Sequence, residues 1–411
     1  HGHLDGCVVR FGGSASTLVM IKRMLKTRTA RKFFRNRLAV VALLIIGGYL
    51  ALAVAVGVFG LISADDCFAR VGPEQLPGFF WQQSAEDRAD NCEFVLSSIE
   101  GMLAGANPET VLAEYRLGQL QLVQRTPDET RQLVEQGWAL YDQLAASPDL
   151  NEDVSLLPQI AELEAKVEDF FVPLSGTSRW KRNLELLLGT DRQGRSIAVR
   201  ALYSIDIAIR IGLVVAFCSV LIGSLMGAAA AYYGGWVDNL VTWIFTVFSS
   251  IPNLVLLVLL VSLFRGTPAE GTLIPMFMAF GITYWVGPCR VIRGETLKLK
   301  HLEYIEAAKS MGFSRPYIMI KHILPNTVHL MLINFSLLFI AAIKGEVILT
   351  YLGLGIKNST SWGIMISQSA SEVSSGFFWQ IGAATAFMFL LVLAFNILSD
   401  ALQDAFDPKH V

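Results

Sequence analysis

One long segment without a charged side chain, residues 38–62, constrains the fold more than any other feature of this sequence. A helix needs roughly 20 residues to cross the ~30 Å apolar layer of a membrane, so this segment is long enough to span it. Every charged residue in the preceding segment, 22–37, is basic. Because basic residues are enriched on the cytoplasmic side, we expect the N-terminal arm, residues 1–37, in the cytoplasm and the first helix running outward.

The composition of the whole chain is compatible with an integral membrane protein or with a soluble protein that has an unusually apolar core. The segregation of its charges favours a polytopic membrane protein with an all-α fold. Only 17% of its residues are charged, whereas a typical soluble domain has about 25%. The net charge of −2 provides no basic surface for nucleic acid, so no nucleic-acid partner is expected. Alternation from a cytoplasmic start places both chain ends and the basic loop 290–326 in the cytoplasm. We predict six transmembrane helices, the later five being residues 205–232, 240–264, 273–291, 327–352 and 377–398.

Residues 63–187 separate the first two predicted helices and hold most of the acidic residues. Thr126, followed by a proline and then by Glu129, is typical of a helix N-terminus with a capping box. We therefore predict a small helical extracytoplasmic insert. Its two cysteines, Cys67 and Cys92, can form a disulfide outside the cytoplasm. The sequence does not give the distance between them, so a disulfide and two separate thiols both remain open.

The cytoplasmic loop 290–326 is predicted to contain two short helices joined by a sharp turn. Residues 303–311 are rich in good helix formers, and Gly312 ends the run. Ser314 is suited to cap the second helix, and Pro325 is expected to end it and to open the next span.

The first helix of this loop carries the residues that we expect to contact a partner. The adjacent Ala307 and Ala308 would form a smooth surface for a groove on that partner. The Glu306 carboxylate would orient the contact. A loop that merely connects two membrane helices is the alternative interpretation.

The sequence contains no catalytic or metal-binding motif. It lacks the Gly-x-x-x-x-Gly-Lys-Ser/Thr phosphate loop, so the chain is not expected to hold ATP in that manner. It also lacks His-Glu-x-x-His, Cys-x-x-Cys and Gly-x-Ser-x-Gly. We therefore predict no catalytic residue, no metal ligand and no cofactor on this chain.

The cytoplasmic loop resembles the EAA coupling loop of binding-protein-dependent ABC importer permeases. The resemblance is carried by Glu306-Ala307-Ala308, Gly312 and Leu324-Pro325, and it departs from the family at His322, where an apolar residue is usual. Other segments from residue 188 onward are similar to the dipeptide and oligopeptide branch. They are Gly189-Thr190-Asp191, Gly194-Arg195, residues 232–238, Glu346, residues 352–355, Ser361-Trp362-Gly363 and residues 394–408. The insert 63–187 is longer than the connection usual in that branch.

This resemblance implies a six-helix subunit with a type I ABC importer-like core over residues 188–411. It implies pairing with a second homologous permease and two ABC ATPase subunits that hold ATP and Mg, one of which docks on the loop. An extracytoplasmic solute-binding protein would deliver peptide, and the location would be the bacterial cytoplasmic (inner) membrane. The chain would be a transport subunit rather than an enzyme. The alternatives are a nickel or other metal-chelate importer permease, an ATP-independent channel, and a membrane interaction or export component.

A few charged residues lie within the predicted spans, where ionisable groups are costly and face protein or a water-filled cavity. Lys344 and Glu346 are candidates for the transport pathway, although pairing within the helix bundle is an equal alternative for Glu346. Asp206 and Arg210 are spaced to pair on one helix face. Pro252 is expected to kink the third span.

Overall fold

The computed structural model describes residues 33–79, 83–114, 120–146, 154–174, 176–357 and 359–406. Over these ranges the chain is helical, and its only β contacts are isolated bridges. The prediction of an all-α fold is therefore confirmed. The helices are α1 (Arg37–Gly57), α2 (Ala85–Leu103), α3 (Pro108–Glu114), α4 (Pro127–Ala145), α5 (Leu157–Glu168), α6 (Thr177–Leu186), α7 (Ile197–Tyr233), α8 (Gly235–Ser250), α9 (Asn253–Ser262), α10 (Ile274–Tyr284), α11 (Val286–Leu299), α12 (Glu303–Ser310), α13 (Arg315–Ile318), α14 (Leu324–Leu349), α15 (Trp362–Ser374) and α16 (Trp379–Phe406).

Four helical stretches in the described ranges are long and apolar enough to cross a membrane: α1, α7, the continuous run Arg315–Leu354, and α16. Helices α8 and α9 meet the criterion only together, and they are bent by 90° at the break that Pro252 predicts. The predicted span 273–291 is divided between α10 and α11, which meet at Trp285. The structure thus has four such spans, or five with the bent pair, and the count of six remains a prediction.

Helix α7 is the centre of the membrane-spanning part. Its 37 residues correspond to about 55 Å, so it is longer than the ~30 Å apolar layer. One face packs with α1, α14 and α16, where the rings of Phe339 and Phe395 stack at 3.8 Å. A second face packs with α9, α10 and α14 around Ile211 and Phe280.

The insert has an apolar core of its own, formed by α2, α4 and α5 around residues such as Leu96, Leu144 and Ile160. The predicted capping box is present at the start of α4. The Thr126 hydroxyl accepts from the Glu129 amide at 3.4 Å, and the Glu129 carboxylate accepts from the Thr126 amide at 3.1 Å. These reciprocal bonds satisfy two backbone donors that the helix leaves open.

No disulfide joins Cys67 to Cys92, so the interpretation that the two form a disulfide is not supported. Cys92 lies on α2 in the apolar core of the insert. Cys67 ends the short 3-10 turn Asp65–Cys67, and its thiol donates to the Ser63 carbonyl at 3.6 Å. The two thiols therefore lie in different packing environments, which their spacing in the sequence does not reveal.

The segment just before α7 joins the insert to the membrane-spanning helices. The buried hydroxyl of Thr190 donates to the Pro73 carbonyl at 2.6 Å and accepts from the Leu76 amide at 2.8 Å. Gly189 has φ +80°, and a Cβ there would lie 2.2 Å from the Leu76 carbonyl oxygen. The Trp379 indole at the start of α16 donates to the Thr190 carbonyl at 3.2 Å. The positive φ of residue 189 and its close approach to the Leu76 carbonyl both require glycine there.

Candidate functional site

The predicted helix–turn–helix loop is present, and we call residues 300–326 the bracket. Helix α12 ends in a turn at Gly312, whose φ of +82° is the left-handed conformation that glycine adopts without strain. Helix α13 follows. The expectation that Pro325 ends this second helix is wrong. A π-helical segment, Met319–Ile323, leads without interruption into α14, and Pro325 lies in the first turn of α14, where its missing N–H is tolerated.

The inner face of the bracket is apolar and buried. Ile305, Ala308, Ile318 and Ile323 form one cluster, against which Tyr232 at the end of α7 packs. Ala308 is only 2% exposed, so the expected smooth surface of two adjacent alanines is not present. Neighbouring residues on a helix point in different directions, so only one member of such a pair faces outward.

The outer face of the bracket is also apolar, but it is exposed. Ala307 lies on this side, and Met311, Phe313 and Tyr317 are 70%, 44% and 43% exposed. The rings of Phe313 and Tyr317 stack at 5.1 Å. We call these three larger residues the outer patch. Contiguous exposed apolar side chains of this kind mark protein interaction sites.

Glu306 lies on the exposed side of α12 and pairs with Lys309 at 2.8 Å. The hydrogen bond from Lys309 lowers the pKa of the Glu306 carboxyl below its ordinary value, so this group is charged at neutral pH. Exposed pairs of this kind contribute little to stability. Glu306 is therefore able to exchange Lys309 for a cation on a partner at small cost.

Polar contacts hold the bracket in one position relative to α7, α8 and α14. The Arg293 guanidinium on α11 forms a two-point pair with Asp238 in the first turn of α8, at 2.6 and 2.7 Å. The Lys300 ammonium donates to the Ala231 carbonyl at 3.1 Å. Asn326 donates to the Tyr304 hydroxyl at 2.7 Å, which ties α14 to α12. Two-point arginine–carboxylate pairs are among the strongest and most directional polar contacts.

Helix α11, which leads into the bracket, packs very closely on α7. A Cβ at Gly223 would lie 2.4 Å from the Trp285 carbonyl oxygen, and one at Gly227 would lie 2.4 Å from that of Cys289. Glycines four residues apart allow two membrane helices to approach at backbone distance. The sequence interpretation did not identify this contact, although the Gly-x-x-x-Gly pattern was present to indicate it.

At the other end of α7, Asp191 is the centre of a buried ionic network. Its carboxylate accepts from the guanidinium groups of Arg195 and Arg200, and also from the amides of Gln193 and Arg195. Both guanidinium groups also donate to Gln368 on α15, at 3.0 and 2.6 Å. The network fixes the start of α7 against α15. The sequence motif included Asp191 and Arg195, but it did not mark Arg200 or Gln368, which complete the network.

The charged residues predicted within the spans lie in different surroundings. Glu346 is buried, and its Oε1 accepts from the hydroxyls of Thr350 at 2.9 Å and Ser361 at 2.7 Å. Lys344 is exposed. Glu346 is thus not accessible to a solute in this structure, and a pathway role for either residue stays a prediction.

Asp206 and Arg210 form the expected pair on α7, at 2.8 Å. The Arg210 guanidinium also donates to the Gly57 carbonyl at the end of α1, at 3.5 Å. This pair therefore stabilises the contact between α1 and α7.

Comparison with known proteins shows which family this chain is similar to. Residues 219–410 match the family model described as binding-protein-dependent transport system inner membrane component. The chain is 37% identical over 222 residues to the dipeptide transport system permease protein of Bacillus subtilis, covering 54% of this chain and 68% of the relative. It is 38% identical over 224 residues to the oligopeptide transport system permease protein of Haemophilus influenzae, covering 54% and 70%.

Two more distant likenesses accompany these. The glutathione transport system permease protein of Pectobacterium atrosepticum is 34% identical over 223 residues, covering 54% of this chain and 72% of the relative. A solved inward-facing methionine ABC transporter overlaps 51% of this chain and 97% of its own, with a TM-score of 0.41 and 17% identity. That score is too low to add to the assignment.

Proposed function

Because this chain belongs to the family of binding-protein-dependent transport system inner membrane components, we propose that it is the permease subunit of an ATP-driven importer of peptides. In this proposal it forms the transport pathway with a second, related permease in the bacterial cytoplasmic membrane. Two ATPase subunits bind and hydrolyse ATP with Mg, and an extracytoplasmic binding protein delivers the peptide. The chain itself has no catalytic role.

The bracket is the observation that carries this proposal. It presents the exposed outer patch on a support that is buried on its inner face and held by the Arg293–Asp238 pair. The bracket continues directly into α11 and α14, and the Arg293–Asp238 pair joins α11 to α8. In this proposal, a partner that pushes on the outer patch therefore moves these three helices together. A loop that merely connects two spans needs neither the exposed aromatic pair nor these contacts.

The orientation of the chain follows from the same proposal. We place the bracket, the basic N-terminal arm and the end of α16 in the cytoplasm, where excess lysine and arginine are favoured. The insert then lies on the outer side, next to the region where a binding protein delivers its cargo. Because its three helices pack around a core of their own, the insert can present a folded surface to that protein or to the second permease.

The peptide substrate is proposed from the names of the relatives, which are dipeptide, oligopeptide and glutathione permeases. No feature of the described residues specifically favours a nickel or metal-chelate substrate. The uptake experiment described next distinguishes the peptide importer from a metal-chelate importer and from an ATP-independent channel.

We expect wild-type chain to restore uptake of a labelled tripeptide in cells that lack its gene. Uptake should stop when cellular ATP is depleted, because the outer patch is proposed to couple transport to ATP hydrolysis. The measurement is accumulation of the tripeptide and, in parallel, of a labelled nickel chelate. Restoration of nickel uptake alone would identify the metal-chelate importer, and peptide uptake that persists without ATP would identify a channel.

A further inference from the structure

The break between α8 and α9 exposes non-helical backbone in a segment proposed to lie within the membrane. Ile251 has φ −96° and ψ 131°, and Pro252 has φ −55° and ψ 126°, so both residues are extended. From Asp238 to Ser250 helix α8 rises about 18 Å, which places the break well inside a ~30 Å apolar layer when Asp238 lies near its cytoplasmic edge. Residues 249–253 are all exposed on this chain.

Exposed non-helical backbone is not tolerated in contact with lipid. Each backbone polar group in the apolar layer requires a hydrogen-bond partner, so such a break either is buried by protein or lines a water-filled cavity. Pro252 has no N–H, and the Phe248 carbonyl therefore lacks the donor that a continuous helix would provide. The break thus requires either a covering subunit or a water-filled cavity, which a polar solute can enter.

A cavity of about 480 Å³ lies directly against this break. Its uncharged polar groups include the Ser249 hydroxyl, the Asn253 amide and the hydroxyls of Thr283 and Tyr284, and Ile251, Leu256 and Leu338 are among its apolar walls. Among its described lining residues none is charged. The nearby Arg290 guanidinium donates to Ser249 at 2.7 Å and lies over the Phe245 ring at 4.9 Å.

These features distinguish a solute site from a subunit contact. Membrane helices that pack on one another use small residues and approach closely, as α7 and α11 do here. The break is instead concave, and its volume is within the range of sites that bind small molecules. The Thr283 and Tyr284 hydroxyls donate to the carbonyls of Ala279 and Ala341, so their oxygens can act as acceptors for the amides of a peptide main chain. Apolar walls accept side chains without selecting their charge.

We propose that the cavity at the α8–α9 break is the place where this permease contacts the main chain of the transported peptide. This inference rests on the proposed function and deepens it, because it names the part of the chain that meets the substrate. It also replaces the sequence-based candidates, since neither Lys344 nor Glu346 is among the residues that line the cavity.

The test compares two single cysteines on α9 in the fully assembled transporter in native membranes. Asn253→Cys lies in the cavity, whereas Val255→Cys, at a residue 58% exposed, lies outside it and serves as the matched control. Both are introduced with Cys7→Ser and Cys218→Ser to reduce background labelling. A water-soluble thiol reagent should modify N253C at least roughly tenfold faster than V255C, because thiols in apolar surroundings ionise poorly. Transported tripeptide at saturating concentration should slow only the modification of N253C.

Two results would overturn the inference without affecting the proposed function. If N253C reacts as slowly as V255C, in a transporter whose wild-type form takes up tripeptide, the second permease covers the break. If N253C reacts rapidly but tripeptide gives no protection, the cavity is filled with water and is not the contact site. Failure of the wild-type chain to take up any peptide would instead remove the proposed function and this inference together.

Discussion

Replacing Asp191 by alanine is expected to destabilise the assembled protein by about 3–5 kcal/mol, the cost of breaking a buried ion pair by removing one partner. Arg195 and Arg200, 7% and 1% exposed, would lose the carboxylate that pairs with both of them. They would retain the uncharged acceptors Gln368 and Thr360 and the charge of Glu372, which forms no hydrogen bond with either. A loss of this size is a large part of the 5–15 kcal/mol that holds a typical protein folded. The measurement is the midpoint of thermal unfolding of the detergent-purified complex, together with its abundance in membranes.

Two further variants separate the charge effect from a general loss of packing. Glu270→Ala removes an acidic residue whose pair with Lys357 is exposed, and no measurable shift in the unfolding midpoint is expected. Adding Arg200→Met to Asp191→Ala should restore part of the lost stability, because it removes one of the two uncompensated buried charges. Equal destabilisation by Glu270→Ala, or a double variant that is less stable than D191A alone, would contradict the role assigned to the network.

Replacing Gly227 by alanine is expected to destabilise the protein by about 1–3 kcal/mol, the usual cost of overfilling a tightly packed site. The added methyl would lie 2.4 Å from the Cys289 carbonyl oxygen and 3.0 Å from the Arg293 amide nitrogen. Both are backbone atoms, so α7 and α11 must move apart. Because Arg293 also holds Asp238, the same separation should weaken the support of the bracket, and peptide uptake should fall with stability. Gly227→Leu should abolish uptake.

Gly294→Ala is the matched control for this substitution. Gly294 lies on α11, the helix against which Gly227 of α7 packs, and a Cβ there meets nothing within 4 Å. Alanine is a better helix former than glycine by about 1 kcal/mol, so G294A should leave stability unchanged or raise it. The two glycine-to-alanine changes are thus expected to have opposite signs in thermal unfolding. A G227A protein as stable as G294A would show that the close contact between α7 and α11 is not required.

Much of the membrane layout follows from local patterns in the sequence. The uncharged run 38–62 corresponds to α1, and the N-terminus of α4 follows from Thr126 and Glu129. Pro252 predicts the break between α8 and α9 for a local reason, since proline lacks the N–H that a helix needs. Such features depend on residues close together in the chain, and so the sequence reveals them.

Features that depend on contacts between residues far apart in the sequence could not be predicted from local patterns. Gln368 binds two arginines that precede it by more than 160 residues, and nothing local to either arginine marks Gln368 as its partner. Helical spacing predicts that α12 has two faces. Whether Ala307 or Ala308 faces inward depends on Tyr232 and the residues packed with it. The different packing environments of Cys67 and Cys92 likewise depend on how the insert folds.

The most direct test of the central claim is co-purification of ATPase subunits with the tagged chain from native membranes. Wild type is compared with the double variant Phe313→Asp and Tyr317→Asp, which places two charges in the outer patch. The control is Lys298→Gln, at an exposed residue on α11 outside this patch. It lowers the net charge of the chain by one, as each of the two substitutions to Asp does. We expect P-loop ATPases to accompany wild type and K298Q and to be lost from the double variant, with each chain equally abundant in the membrane. The claim that the bracket couples this permease to ATP hydrolysis would be contradicted by either of two results. One is that the double variant co-purifies as much ATPase subunit as wild type does, and the other is that wild type co-purifies none.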